Sequence, residues 1–339
     1  MAAHNSALGG GAEFDFIRRV LRDADADNGA MLAARGVVVG PGDDCAVVRG
    51  GDVALTADLA IEDIHFRRAW IAPEEIGYRA AAAALSDLAA SAAEPVGVLA
   101  SLAVTAAERD SVGLELMRGV RAAARSVGAA LIGGDVTRSP GPIVVDVVAV
   151  GRVTTPLLRS GARPGDELWV TGALGGAAAA VRAWRAGAEP HAAGRHAFAH
   201  PSPRTREALW LRTHADVHAG LDISDGLAGD AGHLAAASDV AVVIDSARVP
   251  LHEAVRAGNV DGAAALHLAL TGGDDYELLL ACAPGSVAEV AAAFTGEFGV
   301  PLTCIGGVQA GSGVLRRSPD GSIAPLDLRG YDHFAESEP

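Results

Sequence analysis

Leu221-Asp222-Ile223-Ser224-Asp225-Gly226-Leu227 contains the pattern from which this chain can be read. The apolar run Gly220–Ile223 reads as a buried strand, and Leu227–Ala237 has helical spacing. Between them two carboxylates and a glycine make a tight strand-to-helix turn. Acids at the ends of apolar runs, mostly beside glycine, recur in Gly40-Pro41-Gly42-Asp43-Asp44, Thr56-Ala57-Asp58, Gly133-Gly134-Asp135 and Gly272-Gly273-Asp274-Asp275.

Outward from that turn, strands and helices alternate along the chain. Phe14–Ala24 reads as a short amphipathic helix. Ala46–Val48 and Asp52–Thr56 read as a hairpin joined by Arg49-Gly50-Gly51. Pro73–Ala93 opens with proline and two glutamates and continues Ala-rich, which predicts a long helix buried on most faces. A strand at Val96–Val104, a helix at Glu108–Val127 and strands at Ala129–Ile132 and Ile143–Val150 follow. Thr154-Thr155-Pro156 and Arg163-Pro164-Gly165 punctuate a boundary. The second half carries strands at Leu168–Thr171, Ala241–Asp245, Glu277–Ala281 and Leu302–Ile305, with helices at Gly176–Ala186 and Thr205–Thr213. The expectation is two mixed α/β (α+β) domains, residues 13–152 and 153–334, with tails at 1–12 and 335–339.

Composition narrows the function. Half of the 339 residues are apolar and only 4% are aromatic, so the core must be built largely from small side chains. The longest apolar runs, such as Ile143–Val150, are too short to cross a bilayer. Met1–Gly11 lacks the basic and apolar regions of a signal peptide and reads as a disordered tail. Three scattered cysteines, Cys45, Cys282 and Cys304, form no metal pattern and fit a reducing cytoplasm. A net charge of −15 speaks against nucleic acid and anionic membranes as partners. All 27 basic residues are arginine, which excludes a Walker-A loop, a protein-kinase ATP lysine and a Schiff base.

Taken singly, each acidic turn is ordinary turn chemistry. Ser224-Asp225 can cap a helix, and Asp87, inside Leu85-Ser86-Asp87-Leu88, can sit on a solvent-facing stripe. Brought together, such carboxylates would repel and raise one another's pKa values. Mg²⁺, which takes carboxylate and phosphate oxygens, relieves that repulsion, and the glycines let backbone N–H groups approach phosphate. The pattern therefore points to a metal-dependent enzyme of phosphate chemistry.

An ordered motif series runs through nearly the whole chain. It comprises Gly42-Asp43-Asp44-Cys45-Ala46, Thr56-Ala57-Asp58 with Ile64-His65-Phe66, Leu85-Ser86-Asp87-Leu88-Ala89-Ala90 and Ile132-Gly133-Gly134-Asp135-Val136-Thr137-Arg138. It continues with Arg159-Ser160-Gly161-Ala162-Arg163-Pro164-Gly165-Asp166, Pro201-Ser202-Pro203-Arg204, Asp222-Ile223-Ser224-Asp225-Gly226-Leu227, Gly272-Gly273-Asp274-Asp275-Tyr276-Glu277-Leu278 and Gly330-Tyr331-Asp332-His333-Phe334. This series resembles the thiamine-monophosphate kinase family, within the aminoimidazole-ribotide-synthetase-like ATP-binding superfamily. The resemblance implies ATP and thiamine monophosphate as substrates, and a homodimer whose N-terminal sheets pair into a barrel. It implies Mg²⁺ ligands at Asp44, Thr56, Asp58, Asp87, Asp135, Asp222 and Asp225, and ATP contacts from Gly133, Gly134, Asp135, Arg159 and Ser224. His65 and Asp274 would face the thiamine phosphate, with Asp87, Asp225 and Arg159 the most critical for transfer and no dedicated general base.

Read without the motif, His65 is a satisfied core or edge histidine and Arg159 a surface arginine. Two positions depart from the family pattern. Asp274 stands where a Glu is usual, withdrawing the carboxylate by about 1.5 Å. Leu328 stands where a Trp often offers a stacking surface for the substrate, a loss of about 1 kcal/mol. Both lie on the acceptor side, so a different phosphorylated acceptor and a non-catalytic binding protein are the alternatives. A selenide water dikinase would want a reactive Cys before Cys45, and a hydrogenase-maturation dehydratase a C-terminal Cys in place of Glu336-Ser337-Glu338-Pro339. The motif set disfavours ribotide synthetase.

Overall fold

The computed structural model describes residues 37–39, 46–48, 52–258, 261–328 and 330–331. The expected helix at Phe14–Ala24, the turns at Asp43-Asp44 and Arg49-Gly50-Gly51, and Asp332-His333-Phe334 lie outside the described residues.

Six strands form the first sheet: β1 (Val37–Val39), β2 (Ala46–Val48), β3 (Val53–Ile61), β4 (Glu94–Val104), β5 (Ala130–Arg138) and β6 (Val144–Arg152). Their order is β1-β2-β3-β6-β4-β5, antiparallel except for the β4–β5 pair. Alternation sets the faces. Val145, Val147 and Ala149 of β6 and Val98, Ala100 and Leu102 of β4 are buried under α1 (Pro73–Ala90) and α2 (Leu114–Ser126). The opposite face carries Leu59, Leu99 and Ile132, all exposed.

α1 is buried almost all round because it meets α2, β3 and β6, and also elements of the second half, among them α5 (Thr205–His214) and β8 (Val217–Ile223). Alanine is what such an axis can use. Its run Ala80–Ala84 lets neighbours approach on every side without side-chain entropy cost. Glycine takes over where the two helices touch backbone to backbone. A Cβ on Gly77 would stand 1.9 Å from the Leu116 carbonyl oxygen, and one on Gly119 1.8 Å from that of Glu74.

The second sheet adds β7 (Glu167–Thr171), β9 (Ala241–Asp245), β10 (Glu277–Cys282), β11 (Leu302–Gln309), β12 (Gly313–Arg317) and β13 (Ile323–Pro325), in the order β13-β12-β9-β11-β7-β10-β8. β10 is wholly buried. Leu279 and Ala281 join one apolar cluster, and Leu278, Leu280 and Cys282 the other, so this sheet is covered on both faces. Helices α3 (Gly176–Arg185), α4 (Ala192–Ala199), α6 (Leu227–Ser238), α7 (Glu253–Ala257), α8 (Gly262–Thr271) and α9 (Ala291–Phe298) complete the half.

The structure corrects three expectations. α1 stops at Ala90, and Ala92, at φ 50°, turns the chain into β4. α2 starts only at Leu114, after a wide turn at Arg109–Gly113. β5 does not end at Ile132; it runs through Gly133-Gly134-Asp135 to Arg138. The cause is a bulge against β4 at Val98/Leu99, beyond which pairing resumes with Gly134 opposite Ala100. Gly134 sits at φ 147°, and a Cβ there would meet the Ala100 oxygen at 1.9 Å.

The backbone-to-backbone helix contact gives a direct test. Gly119→Ala should lower stability by about 1–3 kcal/mol through overpacking. Chemical denaturation would show this as an earlier midpoint, and an unchanged midpoint would mean the α1–α2 contact is looser than described.

Candidate functional site

A cleft of about 640 Å³ lies along α1 where the two halves meet. Arg79, Ala83 and Asp87, each four residues apart, place one stripe of the helix on it. β3 contributes Asp58, the β3–α1 connection His65, Arg67 and Trp70, the β8–α6 turn Asp222, Ser224 and Asp225, and the α8–β10 loop Asp274 and Tyr276. Arg182 and Arg185 of α3 complete the positive part of the lining.

Short hydrogen bonds hold the acids in place. Thr56, on the same face of β3 as Asp58, donates its hydroxyl to Asp87 Oδ2 at 2.5 Å. Ser86 donates to Asp222 Oδ2 at 2.6 Å, joining α1 to the end of β8. The turn after Asp222 needs Gly226, at φ 106°, because the α8–β10 loop crosses it and a Cβ would lie 2.8 Å from the Thr271 carbonyl carbon. α6 has no side-chain cap, and Ser224 and Asp225 line the cleft. Instead, Asp230 accepts the Asp225 N–H at 3.1 Å. Asp225, Asp230 and His233 bring one potential ligand atom each within 4.8 Å of one another. Burial, then Asp225 and Asp222, pushes the Asp230 carboxyl well above the usual range.

The α8–β10 loop is pinned to that turn. Asp274 N–H donates to the Ser224 oxygen at 2.7 Å, and Tyr276 N–H to that of Ile223 at 2.8 Å. Asp274 and Tyr276 are both non-glycine residues in the left-handed region, at φ 69° and 52°, a local strain that the surrounding bonds must hold. Tyr276 donates its hydroxyl to Asp274 Oδ1 at 3.1 Å; burial, then Asp274, pushes its pKa well up, so it remains a donor. Asp275 points the other way. Half-buried, it accepts Gly175 N–H at the start of α3 at 2.9 Å. Beneath the loop, Arg204 grips Glu277 at 2.6 and 2.7 Å, and Glu277 accepts the Thr171 hydroxyl at 2.6 Å. From the C-terminal side, Tyr331 N–H donates to the Asp225 oxygen at 2.9 Å.

Arg79 is the main residue that the sequence reading missed. It is only 6% exposed, lies 2.7 Å from Asp274 Oδ1, donates to the Phe198 oxygen at 3.0 Å and sits over the Phe198 ring at 3.9 Å. Its signal was available: an arginine placed four and eight residues before Ala83 and Asp87 in an otherwise alanine-rich helix. Asp274 is therefore tied to a cation across the cleft. His65 accepts Ile61 N–H on Nδ1 at 3.0 Å, which puts the proton of its neutral ring on Nε2.

Other expected residues lie elsewhere. Strand pairing puts Asp58, Val147, Ala100 and Gly134 on one side of the sheet, so Gly133 and Asp135 are on the other, on an exposed edge strand. Arg159, in the segment that links β6 to β7, is outside the cleft lining; its carbonyl accepts the Ser238 hydroxyl at 2.9 Å and its charge reaches Asp230. Leu328 packs on the core of the second sheet. Asp44 lies outside the described residues.

The donors Thr56, Asp58, Asp87, Asp222 and Asp225 offer only oxygen, the chemistry that hard divalent ions take. Asp58 shows the cost of leaving the acids to each other: burial, then Asp274, pushes its pKa up to about 6, against the pull of Arg79.

Two family models match this chain. The N-terminal domain model of the AIR synthase related proteins covers residues 42–153 and the C-terminal domain model residues 163–316. Fold and site thus define the AIR synthase related class. The thiamine-monophosphate kinase of Escherichia coli K12 is 37% identical over 88% of this chain and 93% of its own length. That of Rhodopirellula baltica is 31% identical over 88% and 92%. The solved structure of AaThiL complexed with AMPPCP and TMP superposes with a TM-score of 0.79 at 28% identity, covering 96% of this chain and 97% of that one. The chain belongs to the thiamine-monophosphate kinase family. Among the described residues, no helix is long and apolar enough to cross a membrane.

The raised Asp58 pKa has a sign. Its folded value lies above its unfolded one, so the metal-free protein binds the extra proton only when folded and loses that stability as pH rises from about 4 through about 6. A Mg²⁺ ion held by Asp58 would compete with the same proton. The Mg²⁺-induced rise in Tm should therefore be larger near pH ~7.5 than near pH ~5. Thermal unfolding in both buffers, with and without Mg²⁺, checks this; an equal rise would remove Asp58 from the ligand set.

Proposed function

We propose that this protein transfers the γ-phosphoryl group of ATP to the phosphate of thiamine monophosphate, giving thiamine diphosphate and ADP. The observation that carries the reading is the meeting of Asp58 and Asp87 from one half with Asp222 and Asp225 from the other along one cleft. The family membership and the AaThiL complex with AMPPCP, an ATP analogue, and TMP support both substrates.

Thr56, Asp58, Asp87, Asp222 and Asp225 would hold Mg²⁺, with Asp44 as a further ligand. Bound there, Mg²⁺ supplies neutralisation of phosphate charge between two polyanions. The chain's own part is to position and to balance charge. The acceptor phosphate has a second pKa of about 6, so the attacking oxygen is already ionised near neutral pH and needs no general base. In-line attack then requires only that both phosphates be held end to end. Arg79, buried and unable to lose its proton, supplies a fixed positive charge opposite the acids. His65, with its Nε2 proton, and Asp274 lie on the acceptor side; Ser224 and Arg159 serve ATP.

Asp135, Gly133 and Gly134 enter this reading through a homodimer. The outward face of the first sheet exposes Leu59 at 45% and Ile132 at 54%, an apolar surface suited to a second copy of the sheet and closure into a barrel. The division of the chain into domains at 152/153 belongs to the same proposal.

Phosphorus NMR of a mixture of ATP, Mg²⁺ and thiamine monophosphate should show thiamine diphosphate and ADP, with no product from thiamine as acceptor. Absence of thiamine diphosphate would overturn the reading. Asp87→Asn and Asp225→Asn should each cut turnover by ~10²-fold or more, the several kcal/mol of a metal clamp, while circular dichroism stays native. A fully active variant would remove that carboxylate from the site. Ile132→Glu should halve the particle mass in light scattering; a mass unchanged from the parent would rule out this face as the dimer contact.

A further inference from the structure

The turn that carries Ser224 and Asp225 is held at successive backbone groups. The Ile223 and Ser224 oxygens accept Tyr276 and Asp274 N–H at 2.8 and 2.7 Å, and the Asp225 oxygen accepts Tyr331 N–H at 2.9 Å. Glycines mark how closely these segments lie. A Cβ on Gly273 would stand 2.6 Å from the Ser224 oxygen, and one on Gly330 2.6 Å from the Asp225 oxygen. These three bonds run from backbone to backbone. A fourth does not: Asp225 N–H donates at 3.1 Å to Oδ2 of Asp230, a side chain five residues further on.

Helix capping does not explain that bond. A capping side chain accepts an N–H from inside the first turn of its helix. The N-cap of α6 is Gly226, which has no side chain to offer. Asp230 lies one turn into α6 and reaches backward past Gly226, to an N–H outside the helix. Its own N–H donates to the Gly226 oxygen at 3.0 Å. Side chain and backbone of one residue thus close a ring around the Asp225–Gly226 link.

Asp230 is 3% exposed and does not line the cleft. Keeping an acid there is costly, because burial, then Asp225 and Asp222, disfavour its charge and Arg159 offsets only part of this. An apolar residue would avoid that cost and would leave the Asp225 N–H without this acceptor. We infer that Asp230 is a positioning residue: it fixes the backbone from which Asp225 presents its carboxylate to Mg²⁺, and does not itself hold the ion. This rests on the Mg²⁺ role proposed for Asp225 above. Asp230, Asp225 and His233 each bring a potential ligand atom within 4.8 Å of the others, so direct ligation by Asp230 is the rival that the test must separate.

Mg²⁺ is titrated into the protein in a calorimeter, with the Mg²⁺ dependence of ADP release measured alongside. Asp230→Ala removes the acceptor and should weaken Mg²⁺ binding by about 10- to 100-fold, the usual cost of losing the partner of a metal ligand. Asp230→Asn keeps an oxygen for the Asp225 N–H and should stay within about threefold of the parent. In an Asp225→Asn background, adding Asp230→Ala should change Mg²⁺ binding by less than about twofold, since a residue that acts through Asp225 then has nothing left to place. Equal losses in Asp230→Asn and Asp230→Ala would mean ligation and overturn the inference. So would an unchanged affinity in Asp230→Ala, or a full loss that persists beside Asp225→Asn. If Asp230→Ala does not fold, Asp230→Ser, whose oxygen stops one bond short, takes its place. Failure of the Mg²⁺ reading looks different: the parent protein itself takes up no Mg²⁺.

Discussion

Carboxylates that repel one another are held at one place by a single helix. α1 receives Thr56 on Asp87, sends Ser86 to Asp222 and pairs Arg79 with Asp274. Each link joins a side chain to a partner far away in sequence, and two of the three cross from the first sheet's half to the second's. The mutual repulsion of these acids would separate them in a looser structure. Here the hydroxyl donors and one buried guanidinium offset part of it. Burial first, and then repulsion from Asp274, raises the Asp58 pKa. The divalent ion proposed for this place would satisfy the oxygens gathered there.

The unusual composition follows from the same requirement. A helix that must touch two sheets and three other helices cannot carry large side chains on many faces. Alanines fill it, and glycines stand at the closest approaches, Gly77 and Gly119. Bulk is moved to the periphery, where the few aromatic residues gather in clusters: Trp70, Trp184 and Phe198 beside the cleft, and Trp210, Phe294 and Phe298 beneath the second sheet.

Strands bounded by acidic turns could be read from the chain because alternation and glycine are local signals. Ala241–Asp245 matches the reading residue for residue, and β8 and β10 differ only at their ends. Short helices such as α4 and α8 could not be read, since their Ala- and His-containing sequences carry no periodic stripe; packing, not propensity, makes them helical. β5 extends past the expected end because Gly133-Gly134, which looks like a turn, pairs with Leu99 and Ala100 of β4, and the bulge falls one residue earlier at Ile132. In the cleft, Asp58, Asp87, Asp222, Ser224, Asp225, His65 and Asp274 came from motif order. Arg79 and Trp70 did not, because neither belongs to the acidic, glycine-bounded motifs. The outward position of Asp135 is a matter of strand register, which motif spacing cannot convey.

The crossing bonds of α1 also decide how the molecule can move. Opening the two halves like a jaw would break Ser86 from Asp222 and Arg79 from Asp274, and would expose a helix with almost no polar face. Hinge-type gating is thereby expensive. Ligands must enter a mould that already has its shape, so little of their binding energy is spent on reorganisation.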